Sequence, residues 1–409
     1  MIWSISWRNV WRNKLRSGIV ITAITLGVFA GVFSIAFMRG MADQRVNSAI
    51  KTEVSHIQLH THEFMEVNNI ENYIQNTDKI LSEINKKPEV QSASRRIIIN
   101  SMVMTADGRS GIKLVGVEPE REREVTNIKD KIIHGEYFKE YERSKAVVIG
   151  DDLAEKHEFE TGDRFIVTLV DVEGNQVPDR FKISGIYGTS NSNFDETNAF
   201  VKYSDLREIS NLPENSAHEI AVYLSQNDNT SKIVSSELEN EFSNLDIKQW
   251  FEVLPELKYL TESMDYMMYI FIVIILLALG FGIVNTMLMA VLERIKEIGM
   301  LMAVGMNKLR LFGMIMLETI FLSLTGGAAG IFLGYIVSKI FENQGIDLST
   351  LYGEGLEAIG YDSIVYTVVQ FENILIVALL VVLTGMLASI YPARKAMKLN
   401  PADAIRIDV

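Results

Sequence analysis

Four stretches of the chain stay apolar over the thickness of a bilayer. The first, Gly18–Met38, reads GIVITAITLGVFAGVFSIAFM and carries no charge. At about 1.5 Å per residue, such a helix covers roughly 30 Å. Met267–Leu292 and Leu311–Phe341 are longer, which predicts tilt or protrusion. Ile374–Tyr391 is the shortest. Helices in the core of a soluble protein rarely lack charge for so long, so the pattern predicts four transmembrane helices. The first is too long for a cleaved signal peptide, and no A-x-A site follows it. The plan is one span, a large polar segment over 39–266, and three further spans.

The polar stretches have their own periods. Residues 1–17 place Trp3, Trp7 and Trp11 at helical spacing beside Arg8, Arg12 and Arg16, which predicts an amphipathic helix lying in the membrane interface. In the large segment, VSHIQLH (54–60) alternates as a strand does. Glu71–Lys86 reads as a helix with Ile74, Leu81 and Ile84 on one face, and residues 96–119 read as two strands around Asp107–Gly108. Strand, helix and strand patterns return over 218–225, 230–242 and 246–254. These two distant pieces predict one α+β layer. The stretch from about 132 to 205 is strand-rich, with a turn near Glu173–Asn175, and reads as a β-rich insertion. The expected fold is therefore an α-helical membrane protein with four transmembrane helices and a large α+β extracytoplasmic domain.

Charge sets the expected orientation. Lys and Arg gather before the first span (Arg8, Arg12, Lys14, Arg16), between the second and third (Arg294, Lys296, Lys308, Arg310) and after the fourth (Arg394, Lys395, Lys398, Arg406). Residues 342–373 carry no Lys or Arg but hold Glu342, Asp347, Glu354, Glu357, Asp362 and Glu372. By the positive-inside rule, both termini (1–17 and 392–409) and residues 293–310 are cytoplasmic. The segments 39–266 and 342–373 then lie outside. The net charge of −13 argues against a nucleic-acid partner, and with no Cys there is no disulfide or thiolate chemistry.

Motifs for chemistry are missing. The chain has no G-x-x-x-x-G-K-[ST], H-E-x-x-H or G-x-S-x-G. Of its His residues, only His60 and His62 share a strand face, and a metal would need a further ligand. No metal or catalytic residue is expected. The stretch ERIKEIGMLMAVGMNKLR (293–310) stands out instead, because it is charged and helix-favouring where a short loop would do. Ile295, Ile298, Met302 and Leu309 fall near one side of a helix, and Gly299 and Gly305 allow it to break and bend. Such an element suits docking on another protein, or lying solvated on the membrane surface. Asn285, Thr286 and Glu318 are polar positions within spans. Glu318 is either functional or a structural partner of a neighbouring element. Asn285 and Thr286 can hydrogen-bond between helices or line a cavity. Gly326, Gly327, Gly330 and Gly334 allow close helix approach, within the chain or in a dimer.

The segment V-L-E-R-x-K-E-I-G-x-L-x-A-x-G resembles the coupling element of FtsX-like, MacB-type ABC transporter permeases. The ending YPARKAMKLNPADAIR (391–406) and the pattern in MIMLETIFLSLTGGAAGIFLGY are similar to that family's tail and third span. The resemblance covers the whole length. Within the family, 54–60, 116–138, 147–169 and 181–195 look most like lipoprotein-releasing, Lol-type permeases.

The resemblance implies a MacB-like periplasmic core and a non-catalytic permease subunit of a type VII transporter in the bacterial inner membrane. ATP and Mg would be bound by a separate ATPase, in two copies, with no cofactor in this chain. Glu293, Arg294, Glu297, Ile298, Gly299, Leu301 and Gly305 would form the ATPase-coupling element, with Glu297 reaching a donor on the ATPase. Other implied partners are a second permease, identical or paralogous, a lipoprotein or other periplasmic cargo, and a periplasmic carrier. The carrier would meet Val172, Gly174, Val177 and Pro178 if the segment 171–181 is the hairpin that grips it in Lol systems. Three functions are open: lipoprotein extraction, export of small molecules or peptides from the periplasm, and regulation of a cell-wall hydrolase without transport.

Overall fold

The computed structural model describes residues 2–105, 108–225, 228–352, 355–356, 358 and 360–398. The expected turn at Asp107, the acidic positions Glu354 and Glu357, and the tail with Arg406 lie outside the described residues. The chain divides into two units. One comprises Met1–Ala42, Thr261–Ile346 and Val365–Val409; the other comprises Asp43–Leu260 and Asp347–Ile364.

The first unit contains the membrane part. Among the described residues, four helices are long and apolar enough to cross a bilayer: Lys14–Ala49, Pro255–Glu293, Lys308–Gln344 and Phe371–Met397. Their buried faces follow helical spacing. Val20, Ile24, Val28 and Val32 on the first meet Ile272, Leu279 and Ile283 on the second, with Phe321 and Val381 from the other two in the same core. The opposite faces expose large apolar side chains such as Phe281 and Leu379, as helices solvated by lipid do. Pro392 lies inside the fourth helix, which continues to Met397, six residues beyond the expected end of the span.

The glycines of the third spanning helix explain how it packs. A Cβ would lie 2.8 Å from Ile24 at Gly326, 2.7 Å from Val28 at Gly330 and 2.8 Å from Val32 at Gly334. The four-residue step on one helix matches the four-residue step on the other. At Gly327 the neighbour is Val381 of the fourth helix, at 3.4 Å. The small-residue stripe thus serves helix approach within the chain. Next to it, residues 366–368 form a strap. The Val368 N–H donates to the Ala36 carbonyl (2.9 Å), and Thr367 Oγ1 donates to the Ser338 carbonyl (2.6 Å). The Tyr366 carbonyl lies where a side chain at Gly40 would begin.

The second unit is built on ten strands: β1 (Ile57–His60), β2 (Val90–Met104), β3 (Arg109–Val117), β4 (Ile132–Gly135), β5 (Lys145–Gly150), β6 (Arg164–Val170), β7 (Gln176–Tyr187), β8 (Asn198–Lys202), β9 (Glu219–Leu224) and β10 (Asp246–Gln249). The pairing β2–β3–β8–β5–β7–β6 returns to β2 and closes a six-stranded barrel. Inward residues such as Ile97, Val147, Phe165, Phe181 and Val201 fill it. An arm, β10–β1–β9, continues from the other side of β2. Helices Thr77–Ile84 and Asp228–Glu241 contribute Leu81, Ile84, Val234 and Leu238 to its core.

The β-rich stretch 132–205 closes into the barrel by pairing with β2 and β3 of the flanking layer. One sequence expectation changes here. The helix expected from Glu71 begins at Thr77. Asn76 takes a left-handed conformation (φ 55°), and Ile74 instead forms a bridge with Ala217.

Candidate functional site

The segment 293–310 folds as a short helix between two spanning helices. The second spanning helix ends at Glu293, and Arg294 leaves helical geometry (φ −107°, ψ 21°). Ile295–Ala303 then forms a new helix. It stops in a Schellman cap: the Met306 N–H donates to the Leu301 carbonyl (2.9 Å), the Gly305 N–H donates to the Met302 carbonyl (3.1 Å), and Gly305 has φ +98°. Asn307 follows at once as N-cap of the third spanning helix, its side chain accepting from the Leu309 N–H (3.1 Å). The turn therefore rests on Gly305 alone. Gly299 does not bend the element; it is buried inside the short helix.

One face of this helix packs inward through Ile298, with Leu301 and Met302 half-buried. The other face stays open. Met300, Val304 and Leu309 are exposed, Val304 at 90 %. Leu309 belongs to the next helix and does not join Ile298 as the spacing suggested. A cleft of about 700 Å³ opens beside the cap, lined by Trp3, Ile5, Leu301, Val304, Gly305, Met306, Arg310 and Met314.

A chain of ion pairs holds the element. Arg12, on the N-terminal helix Ile2–Arg12, donates to both oxygens of Glu297 (2.6 and 2.7 Å). Arg294 donates from Nε to Glu297 (3.0 Å) and from Nη1 to Glu318 (3.2 Å). Asn9 Nδ2 donates to the same Glu318 (2.6 Å), and Arg16 donates to Glu293 (3.1 Å). Hydrogen bonding from Arg12, aided by Arg294, lowers the Glu297 pKa despite partial burial. Burial opposes the charge on Arg294, but Glu318 and Glu297 outweigh it and raise its pKa. The N-terminal helix is itself pinned to the third span. Ser6 donates to the Met314 carbonyl, and Trp3 and Trp7 stand edge-on to Phe321 at 5.1 and 5.2 Å.

The predicted residues thus part into groups. Glu293, Arg294, Glu297, Ile298, Gly299, Leu301 and Gly305 lie together, and Glu318 joins them as an internal partner. Asn285 is exposed on the second spanning helix, and Thr286 returns its hydroxyl to the Gly282 carbonyl of the same helix (2.8 Å). Val172, Gly174, Val177 and Pro178 do form a hairpin, between β6 and β7. Asp171 ties its loop by accepting from the Glu173 and Asn175 N–H groups (2.9 and 2.8 Å). Val172 and Val177 pack on the barrel core, leaving Gly174 and Pro178 exposed. Arg12, Asn9 and Arg16 were not singled out as members of the site. The signal for the two arginines is the cationic stripe beside the Trp residues, which sequence assigns equally well to lipid phosphate; Asn9 has none.

The MacB-like periplasmic core domain family matches residues 17–239, and the FtsX-like permease C-terminal family matches residues 269–401. The chain belongs to the FtsX-like permeases with a MacB-like periplasmic core. This permease is therefore a multi-pass membrane protein and a non-catalytic subunit of an ABC transporter, a family that implies a partner ATPase. It is similar to the lipoprotein-releasing system transmembrane protein LolC of Neisseria meningitidis serogroup B, at 23% identity over 82% of this chain and 84% of that protein. It is also similar to the macrolide export ATP-binding/permease protein MacB of Vibrio parahaemolyticus, at 30% identity over 36% of this chain but only 20% of that one. Among solved structures, the periplasmic region of MacB from Actinobacillus actinomycetemcomitans aligns with 56% of this chain and 95% of its own, at 11% identity and a TM-score of 0.35.

Proposed function

We propose that this permease passes the motion of a partner ATPase to its periplasmic-type domain in order to release lipoproteins from the membrane. The observation that carries the cargo is the LolC likeness, which runs through most of both chains, whereas the MacB likeness spans a fifth of the exporter. In this reading both termini and the element Ile295–Ala303 face the cytoplasm, and ATP and Mg are held by the ATPase. The exposed Met300 and Val304 and the cleft beside Gly305 offer the ATPase an apolar seat, while Glu297 holds the element through Arg12 and Arg294. Moving acylated cargo out of a bilayer costs about 0.8 kcal/mol per CH₂. Several acyl chains make spontaneous exit negligible, so an external energy source is needed. A carrier docking on the β6–β7 hairpin would meet Gly174 and Pro178 rather than the two valines.

The test is reconstitution. The permease is purified from native membranes with its bound proteins and lipopeptides, returned to liposomes loaded with a triacylated lipoprotein, and given ATP. Release of the lipoprotein to the aqueous phase, dependent on a co-purifying ATPase, supports the reading. An ATPase accompanied by a periplasmic adaptor or a hydrolase, with no lipoprotein bound or released, overturns the cargo and moves the assignment to export or hydrolase regulation.

A further inference from the structure

The second unit holds a cavity of about 340 Å³ that the coupling mechanism does not use. Its lining includes residues of β1, β2 and β9, where β2 leaves the β10–β1–β9 arm for the barrel. Arg96 marks the junction, pairing in register with Glu219 of β9 and Val117 of β3. Its guanidinium donates to Glu122 (2.7 Å) and to Glu219 Oε1 (2.6 Å), and all three side chains are at most 5 % exposed. One buried cation thus faces two buried carboxylates.

Glu219 Oε2 is the remaining acceptor. Among the described residues no hydrogen bond reaches it. His60 Nε2 stands 3.7 Å away and lies 3.0 Å from Gln58 Oε1. Burial lowers the His60 pKa, and the nearby Glu219 carboxylate opposes that shift. Arg96, Glu219, His60 and Gln58 all line the cavity, so this oxygen sits where a ligand can reach it. A buried acceptor is otherwise hydrogen-bonded, because leaving one unmet in such a place is costly. The lining is mixed: Phe194 and Phe200 stand beside Asn68, Asn193 and Asn198, and Lys113 stands exposed at the rim.

The geometry points to a binding site for a primary ammonium group carried on an apolar body. The ammonium meets Glu219 Oε2, and the apolar body lies against Phe194 and Phe200. The cavity volume suits a molecule of small-ligand size. The same chemistry comes from a free amine or from a lysine side chain of a polypeptide. This site is independent of the proposed cargo.

The experiment uses the full chain in lipid nanodiscs and follows thermal unfolding against ligand concentration. The probes are 2-phenylethylamine, N-acetyl-Phe-Lys-amide, 2-phenylethanol and 3-phenylpropionate. A saturable rise in unfolding temperature with either amine, and with neither the alcohol nor the acid, supports the site; the amine that binds more tightly identifies the source. Glu219→Gln keeps an acceptor for Arg96 and should weaken amine binding about tenfold, the worth of one charge-assisted hydrogen bond. Asn193→Trp, at the exposed rim, fills the cavity without touching the ion cluster and should abolish the response, so a folding failure of the first variant leaves the test intact. Equal responses to all four probes, a response to the acid alone, or none to either amine would overturn the inference.

Discussion

Arg294 donates to Glu318 across 3.2 Å, joining the break between two helices to a carboxylate inside the third spanning helix. The side chains are 13 % and 7 % exposed. Removing one member strands the other charge in a buried place, at about 3–5 kcal/mol. Arg294→Ala and Glu318→Ala should each lower the unfolding temperature in detergent, and each should weaken ATPase stimulation by the permease. Unchanged stability in both would show that the pair is not what holds the helix Ile295–Ala303.

The neighbouring pair should behave differently. Arg12 and Glu297 are 55 % and 42 % exposed, so their bond contributes at most about 1 kcal/mol. Arg12→Ala should leave the unfolding temperature nearly unaltered while reducing coupled ATP turnover. An equal loss of stability and coupling would mean that Arg12 acts only by holding the fold.

At Gly330, any side chain meets Val28 and the Thr25 carbonyl at 2.7 Å. Gly330→Leu should separate the first and third helices and cost about 1–3 kcal/mol or more. Gly282, which has open space, is the control, and Gly282→Leu should be tolerated. Thermal unfolding in nanodiscs compares them.

Gly40 is stricter, because its obstacle is the backbone carbonyl of Tyr366 rather than a side chain that can rotate. Gly40→Val should release the strap at 366–368. Faster hydrogen exchange at the Val368 amide, now bonded to Ala36, is the readout; protection equal to wild type would contradict the clamp.

Asp195 is buried near Asp152 and Asp151, and accepts from the Thr189 N–H (2.6 Å) and Oγ1 (2.8 Å). Burial outweighs those bonds and raises its pKa to about 7, against about 3.9 in an unfolded chain. Between those values the folded protein keeps a proton that the unfolded chain has lost. Stability therefore falls as pH rises through the window, with the cost complete above about 7. Asp195→Asn should flatten the dependence between about pH 4 and 7, measured by urea unfolding. A slope unchanged by the substitution would assign it to other groups.

Hydropathy by itself located the four spans, since a bilayer demands a long uncharged helix and little else in a sequence satisfies that demand. The short helix Ile295–Ala303 was legible for a similar reason: its amphipathic run and Gly305 are local signals, and the cap forms within a few residues. The barrel was not legible, because alternation says which residues face inward but not which strands meet. Closure depends on β6 returning to β2, a pairing of Met102 with Thr168 that no local pattern encodes. The charge clusters were hidden for the same cause. Arg12 and Glu297 are 285 positions apart, and Arg96 and Glu219 are 123 apart. Each reads alone as an ordinary solvated charge. Only the tertiary structure brings them within hydrogen-bond distance and removes enough water to make the partner matter.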